Sequence, residues 1–172
     1  MSIQTPSAAL LQVDSASNDT VDAGMTGSTD TAVLEFAAAA TPVGPSITEA
    51  TTATAGTVVT IGHTGLYGVQ LTLGFTGAVA VAAGIGINMA AAPIVADPVV
   101  GTDGVIKAAD MLMVADSTQV VDLATNFQVT AALAAAGFTL RFLATNSGGA
   151  APVGIVVGSV AYRLMKIANI VF

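Results

Sequence analysis

Apolar and polar residues alternate along much of this chain. Between residues 66 and 73, Tyr67, Val69, Leu71 and Leu73 fall on one side, with Gly68, Gln70 and Thr72 on the other. Successive side chains of a strand point to opposite faces, so a period of two predicts a half-buried β-strand. Val79, Val81, Ile85 and Ile87 continue the pattern, with Ala80, Ala82, Gly84 and Gly86 opposite. Phe127, Val129, Ala131 and Leu133 repeat it against Gln128 and Thr130. Phe138, Leu140 and Phe142 follow, and Val160, Tyr162 and Leu164 alternate with Ser159, Ala161 and Arg163. Residues 31–36, 57–61, 120–123 and 154–157 add shorter β-prone runs. Gly, Pro, Asn and Asp separate these segments, so the pattern predicts eight or more turn-bounded strands in a sandwich or barrel.

Helical signals are few. Residues 37–40 and 131–136 are alanine-rich and have helix propensity, although Thr41 and Pro42 stop the first. Residues 108–115 are expected to form one or two helical turns. No heptad and no longer internal repeat is visible.

Composition sharpens the picture. Ala, Val, Thr and Gly fill more than half of the 172 positions, and only 9% of residues are charged. An ordinary soluble domain carries about 25% charged residues. The deficit predicts either a membrane location or an exterior that faces other protein, as in an assembly subunit. The longest weakly polar run, residues 78–96, contains Asn88 and Pro93 and has no flanking cation. It lacks the anchors of a membrane span, so no membrane partner is expected. No cation follows Met1 to open a secretion signal, so synthesis in a cytoplasm is expected. Small Ala and Gly residues opposite the apolar faces, as at 80–86, predict close approach of another sheet or chain.

Charge divides the chain. Residues 1–50 hold six acids and no cation, and the rest of the chain holds all four cations. The first thirty residues are rich in Ser, Thr, Asp and Gly, with Ile3, Leu10, Leu11 and Val13 as scattered apolar anchors. They predict an extended acidic arm that orders on a neighbour. Arg141, Arg163 and Lys166 form a local cationic group that could receive such an arm. The expected partner-contact residues are therefore Ile3, Leu10, Leu11, Val13, Arg141, Arg163 and Lys166. Four cations against eleven acids argue against a nucleic-acid partner.

Catalytic signals are weak. The single histidine, His63, sits between glycines in a turn, without an evident nucleophile beside it. Residues 83–89 start like a dinucleotide fingerprint, but Met89 replaces the third glycine. Asp97, Asp103 and Asp110 lack the spacing of the helix–loop–helix calcium site. Asn18 opens a glycosylation sequon that has little meaning without secretion. With no cysteine, thiol-ligated zinc and disulfides are excluded. No enzyme activity, cofactor or metal is expected.

Three segments carry a family resemblance. Thr64-Gly65-Leu66-Tyr67-Gly68-Val69-Gln70-Leu71-Thr72-Leu73 resembles a strand of tumour necrosis factor-like jelly rolls. Residues 158–167 are similar to the terminal strand of such domains in bacterial and phage proteins, and residues 138–146 to the preceding strand. The resemblance spans roughly residues 55–170. It implies an all-β jelly-roll β-sandwich of two antiparallel sheets that trimerises about an apolar axis. In phages such domains serve as capsid decoration (cement) proteins, head fibres and fibre tips, and decoration proteins commonly carry an N-terminal arm. The expectation is an extended acidic arm over residues 1–50 and a jelly-roll domain over 51–172. The expected function is a virion structural protein on the capsid surface, with the major capsid protein and its own copies as partners. A fibre or glycan-binding tip and a small jelly-roll shell protein are the alternatives.

Overall fold

The computed structural model describes residues 13–16, 30–36, 47–52, 56–77, 82–94, 99–146 and 154–169. Ten strands and one short helix follow in order: β1 (Val13–Ala16), β2 (Asp30–Val33), β3 (Ile47–Thr52), β4 (Gly56–Ile61), β5 (Gly65–Gly77), β6 (Ala82–Met89), β7 (Val105–Leu112), β8 (Ser117–Val129), α1 (Ala131–Ala136), β9 (Phe138–Asn146) and β10 (Gly154–Ala168). They form two antiparallel sheets. One has the order β1-β10-β5-β8, the other β3-β4-β9-β6-β7, with β2 also on β9. This is the expected all-β, two-sheet architecture.

The alternation read from the sequence places the core. Tyr67, Val69, Leu71, Leu73 and Phe75 of β5 point inward and are buried. Across from them lie Ile85 and Ile87 of β6 and Leu140 and Phe142 of β9. Phe142 stacks on Tyr162 of β10 at 4.6 Å, and Phe36 meets both rings edge-on. Such edge-to-face and offset pairs add to the area they bury.

β9 holds the larger sheet together. One of its edges pairs with β6 over residues 140–146. Its other edge is shared: residues 138–141 pair with β4 and residues 143–146 with β2. Residue 34 joins the two partners. Leu34 N–H donates to the Phe142 carbonyl at 2.9 Å, and its own carbonyl accepts from Thr57 N–H at 2.8 Å. Phe36 N–H then donates to Thr57 Oγ1 at 2.8 Å.

Within residues 1–50, expected to form an arm, β1, β2 and most of β3 lie in the sheets, and Leu34, Phe36 and Ile47 lie in the core. The physical reason is the β-prone, apolar character of 31–36 and Ile47, which outweighs the acidic composition around them. Ile3, Leu10 and Leu11 lie outside the described residues.

Other differences are local. Residues 108–115 form the end of β7 and its turn, because pairing with β6 outweighs weak alanine propensity. Residues 120–123 and 127–129 belong to one strand, β8, as do 154–157 and 160–164 in β10. Residues 131–136 are helical. Thr130 caps the helix by accepting from Leu133 N–H at 3.3 Å, and Gly137 ends it at φ +78°.

The small residues opposite the apolar face of β6 are filled within the chain. Gly84, Gly86 and Asn88 on β6 are buried, as are their cross-strand partners Thr145, Leu143 and Arg141. A Cβ on Gly84 would stand 2.2 Å from Asp110 Oδ1 and 2.8 Å from Thr145 Oγ1. The close approach expected at these positions is therefore made by the chain itself.

Candidate functional site

The outer face of the β1-β10-β5-β8 sheet presents a row of exposed side chains from β8, β5 and β10. From β5 it presents Leu66, Gly68, Gln70 and Thr72, and from β8 Val120, Asp122, Ala124 and Asn126. β10 adds Arg163, Met165 and Ile167, which alternate with the inward Tyr162, Leu164 and Lys166. Val120 is 55% exposed and Ile167 38%. Gly68 makes room at the centre, since a Cβ there would stand 3.0 Å from both Asn126 Oδ1 and Ile167 Cδ1. Around it a shallow depression opens to solvent, with Arg163, Met165 and Ile167 along one wall. Thr72 Oγ1 donates to Asp122 Oδ1 at 2.5 Å. Among the side chains described on this face, the charges are one acid, Asp122, and one cation, Arg163, and Asp14 of β1 is in register with Arg163.

The three expected cationic contacts separate in space. Arg163 lies on this open face. Lys166 is buried on the inner side of the same strand, with Nζ 5.8 Å from the centre of the Tyr67 ring. Burial lowers its pKa from the ordinary lysine value. Arg141 is buried on the other sheet, where its guanidinium donates to the Ala92 carbonyl, and burial lowers its pKa as well. Val13 lies in β1, opposite Leu164. The inward turn of Lys166 was legible in the period of β10, two residues on from Tyr162 and Leu164.

Potential reactive groups are dispersed. The His63 side chain is exposed, and its backbone carbonyl accepts from Tyr67 Oη at 2.8 Å. Asp103 caps its own loop by accepting from Val99 N–H at 3.1 Å, while Asp110 stands over Gly84. Among the described residues, no group of three or more His, Cys, Asp or Glu is placed to hold a metal. No described helix is long and apolar enough to cross a membrane.

No family model and no curated protein matches this chain. Solved structures do. Murine APRIL at pH 5.0 superposes with a TM-score of 0.59 at 12% identity, covering 92% of this chain and 99% of APRIL. The Eiger TNF of S. frugiperda superposes with a TM-score of 0.62 at 13% identity, covering 95% of this chain and 96% of Eiger. The fold is a tumour necrosis factor-like jelly roll. The likeness of this jelly roll to APRIL and Eiger is one of fold, because few residues are shared.

Proposed function

We propose that this jelly roll is a structural subunit of a virion, one that self-associates as a trimer and decorates a capsid shell. The observation that carries the reading is the outer face of the β1-β10-β5-β8 sheet, partly apolar, low in charge among its described side chains and indented at Gly68. Obligate interfaces are depleted of charge in this way. Burying it between copies gains about 25 cal/mol per Å² of apolar area. The low charge of the whole chain supports the same reading, and the resemblance to phage decoration domains supplies the capsid partner. A glycan-binding tip fits less well, because Tyr67 and Tyr162, the chain's two tyrosines, are both buried. The non-enzymatic reading rests on the dispersal of the titratable groups described above.

Native mass spectrometry and co-sedimentation with capsids test the two parts. A trimer that becomes monomeric on Met165→Glu, with an unchanged β-type circular dichroism spectrum, supports the face. Capsid binding that weakens when residues 1–12 are removed, sparing β1, supports an arm anchored by Ile3, Leu10 and Leu11. A stable wild-type monomer without capsid affinity refutes the proposal.

A further inference from the structure

Val99 and Val100, in the connection between β6 and β7, are 56% and 51% exposed, and Ile94 of the same connection is exposed as well. The two valines stand on a tight turn. Val99 N–H donates to Asp103 Oδ2 at 3.1 Å, and the Val99 carbonyl accepts from Thr102 N–H at 3.1 Å. Gly101 N–H donates to the Val105 carbonyl at 2.9 Å. Gly101 and Gly104 take left-handed backbone conformations, φ +80° and +71°, that a side chain would strain. The turn satisfies several of its own main-chain groups and still leaves two apolar side chains in solvent. A β-branched side chain on such a turn has little freedom left to lose on binding.

The strand register shows which end of the sandwich carries this turn. β6 finishes beside the start of β9, since Met89 pairs with Leu140 and Ala90 N–H donates to the Thr139 carbonyl at 3.0 Å. Phe138, which opens β9, pairs with Ile61 at the end of β4, and Leu66 near the start of β5 pairs with Ala168 at the end of β10. β1 runs antiparallel to β10, with Val13 opposite Leu164 and Ala16 opposite Ala161, so the chain enters β1 from this same end. Residues 1–12, with Ile3, Leu10 and Leu11, therefore lead into the sandwich from the end that carries Val99 and Val100. Val114, also exposed, lies at the opposite end, on the turn from β7 to β8.

Resting on the capsid reading above, we propose that this end is the foot of the subunit, where Val99, Val100 and Ile94 dock on an apolar, uncharged patch of the shell protein. The arm selects the occupant, because a segment that reaches the shell from Val13 brings the end beside it to the same surface. The copies meet through a different surface, the outer face of the β1-β10-β5-β8 sheet, so the two contacts do not compete. Removing a valine from water on docking is the favourable term, and placing a carboxylate there reverses it.

Co-sedimentation with capsids compares the full chain with Val99→Asp, Val100→Asp and, at the opposite end, Val114→Asp, with native mass spectrometry on each to check the trimer. Val99→Asp and Val100→Asp are each expected to weaken shell binding by about 10–100-fold with the trimer intact. Val114→Asp is expected to bind as wild type does. The chain has no cysteine, so a single Val100→Cys carries a photoreactive maleimide label at one known place. It is expected to cross-link to the shell protein, and the same label on Val114→Cys is not. If wild type binds capsids and both foot variants bind equally well, or if the label cross-links from Val114→Cys and not from Val100→Cys, the foot is overturned and the capsid reading stands. A wild-type chain without capsid affinity overturns both.

Discussion

Gly56→Ala tests the way residues 30–36 are locked into the sandwich. Gly56 has φ +67°, and a Cβ there would stand 2.6 Å from the Leu34 carbonyl oxygen and 3.0 Å from Val33 Cβ. That oxygen cannot simply retreat, because it accepts the Thr57 N–H at 2.8 Å. The substitution carries two costs. A left-handed backbone costs an alanine about 1–2 kcal/mol, and forcing an atom into a filled space costs about 1–3 kcal/mol. The expected loss is about 2–5 kcal/mol, on the order of 5–20 °C in Tm. Two other glycines separate the terms. Gly101 has φ +80° with nothing within 4 Å of its Cβ position, so Gly101→Ala reports backbone strain alone. Gly62 has open space there too, and its φ lies outside the strained range, so Gly62→Ala is expected within about 0.5 kcal/mol of wild type. Urea unfolding at one fixed protein concentration gives the three values, with an unchanged m-value as the check on the unfolded state. If Gly56→Ala costs no more than Gly101→Ala, the 34–57 clamp is not as described.

Three further outcomes are expected. Tyr162 Oη donates to the Glu49 carboxylate, and burial, the hydrogen bond and the Glu49 charge raise its pKa well above the ordinary tyrosine value of 10.0. Above pH 10 the unfolded chain therefore loses this proton first, and stability falls by about 1.4 kcal/mol per pH unit. Tyr162→Phe is expected to lack that part of the alkaline decline in pH-resolved melting, and a slope equal to wild type refutes the assignment. Thr57→Val leaves the buried Phe36 N–H without its acceptor and is expected to cost about 1–3 kcal/mol in urea unfolding, where a neutral effect counts against the hydrogen bond. Ala124→Arg puts a long cation into the shallow face of β8 and is expected to abolish trimers in sedimentation velocity while leaving the monomer's strand spectrum intact.

The strands were legible wherever one face is buried and the other wet. β5 is the clearest case, since Tyr67 to Leu73 alternate in sequence and in burial alike. The tumour necrosis factor-like segments also held as fold. The edges of the pattern were harder. In β6, Gly84, Gly86 and Asn88 are as buried as Ile85 and Ile87, because that strand is covered on both sides. Alternation in polarity then carries no information on which face is inner. β7 was misread as helical turns because Ala108 and Ala109 carry weak local preference, and only pairing with β6 makes them a strand. The acidic composition of residues 1–50 concealed Leu34, Phe36 and Ile47, three core positions spread over fourteen residues. The candidate site was half legible. The period of β10 already separated Arg163 from Lys166, but nothing in the sequence distinguished Arg141, buried against Ala92, from a surface cation. Its depth arises from pairing with Asn88 and from the contact with Ala92, residues distant in sequence.

The shared edge of β9 constrains the order of events during synthesis. β2, β4 and β6 all pair with β9, and β1 and β5 both pair with β10, yet β9 and β10 are the last two described strands to be made. Until residue 146 has emerged from the ribosome, three earlier strands lack one of their neighbours, and β5 waits longer still for β10. Such long-range pairing makes folding slow, on the order of milliseconds to seconds. It also leaves apolar strand edges exposed on the nascent chain, where they can pair with a neighbouring copy. A ribosome-bound fragment that ends before Phe138 should thus be protease-sensitive throughout, and protection should arrive abruptly with the last thirty-five residues.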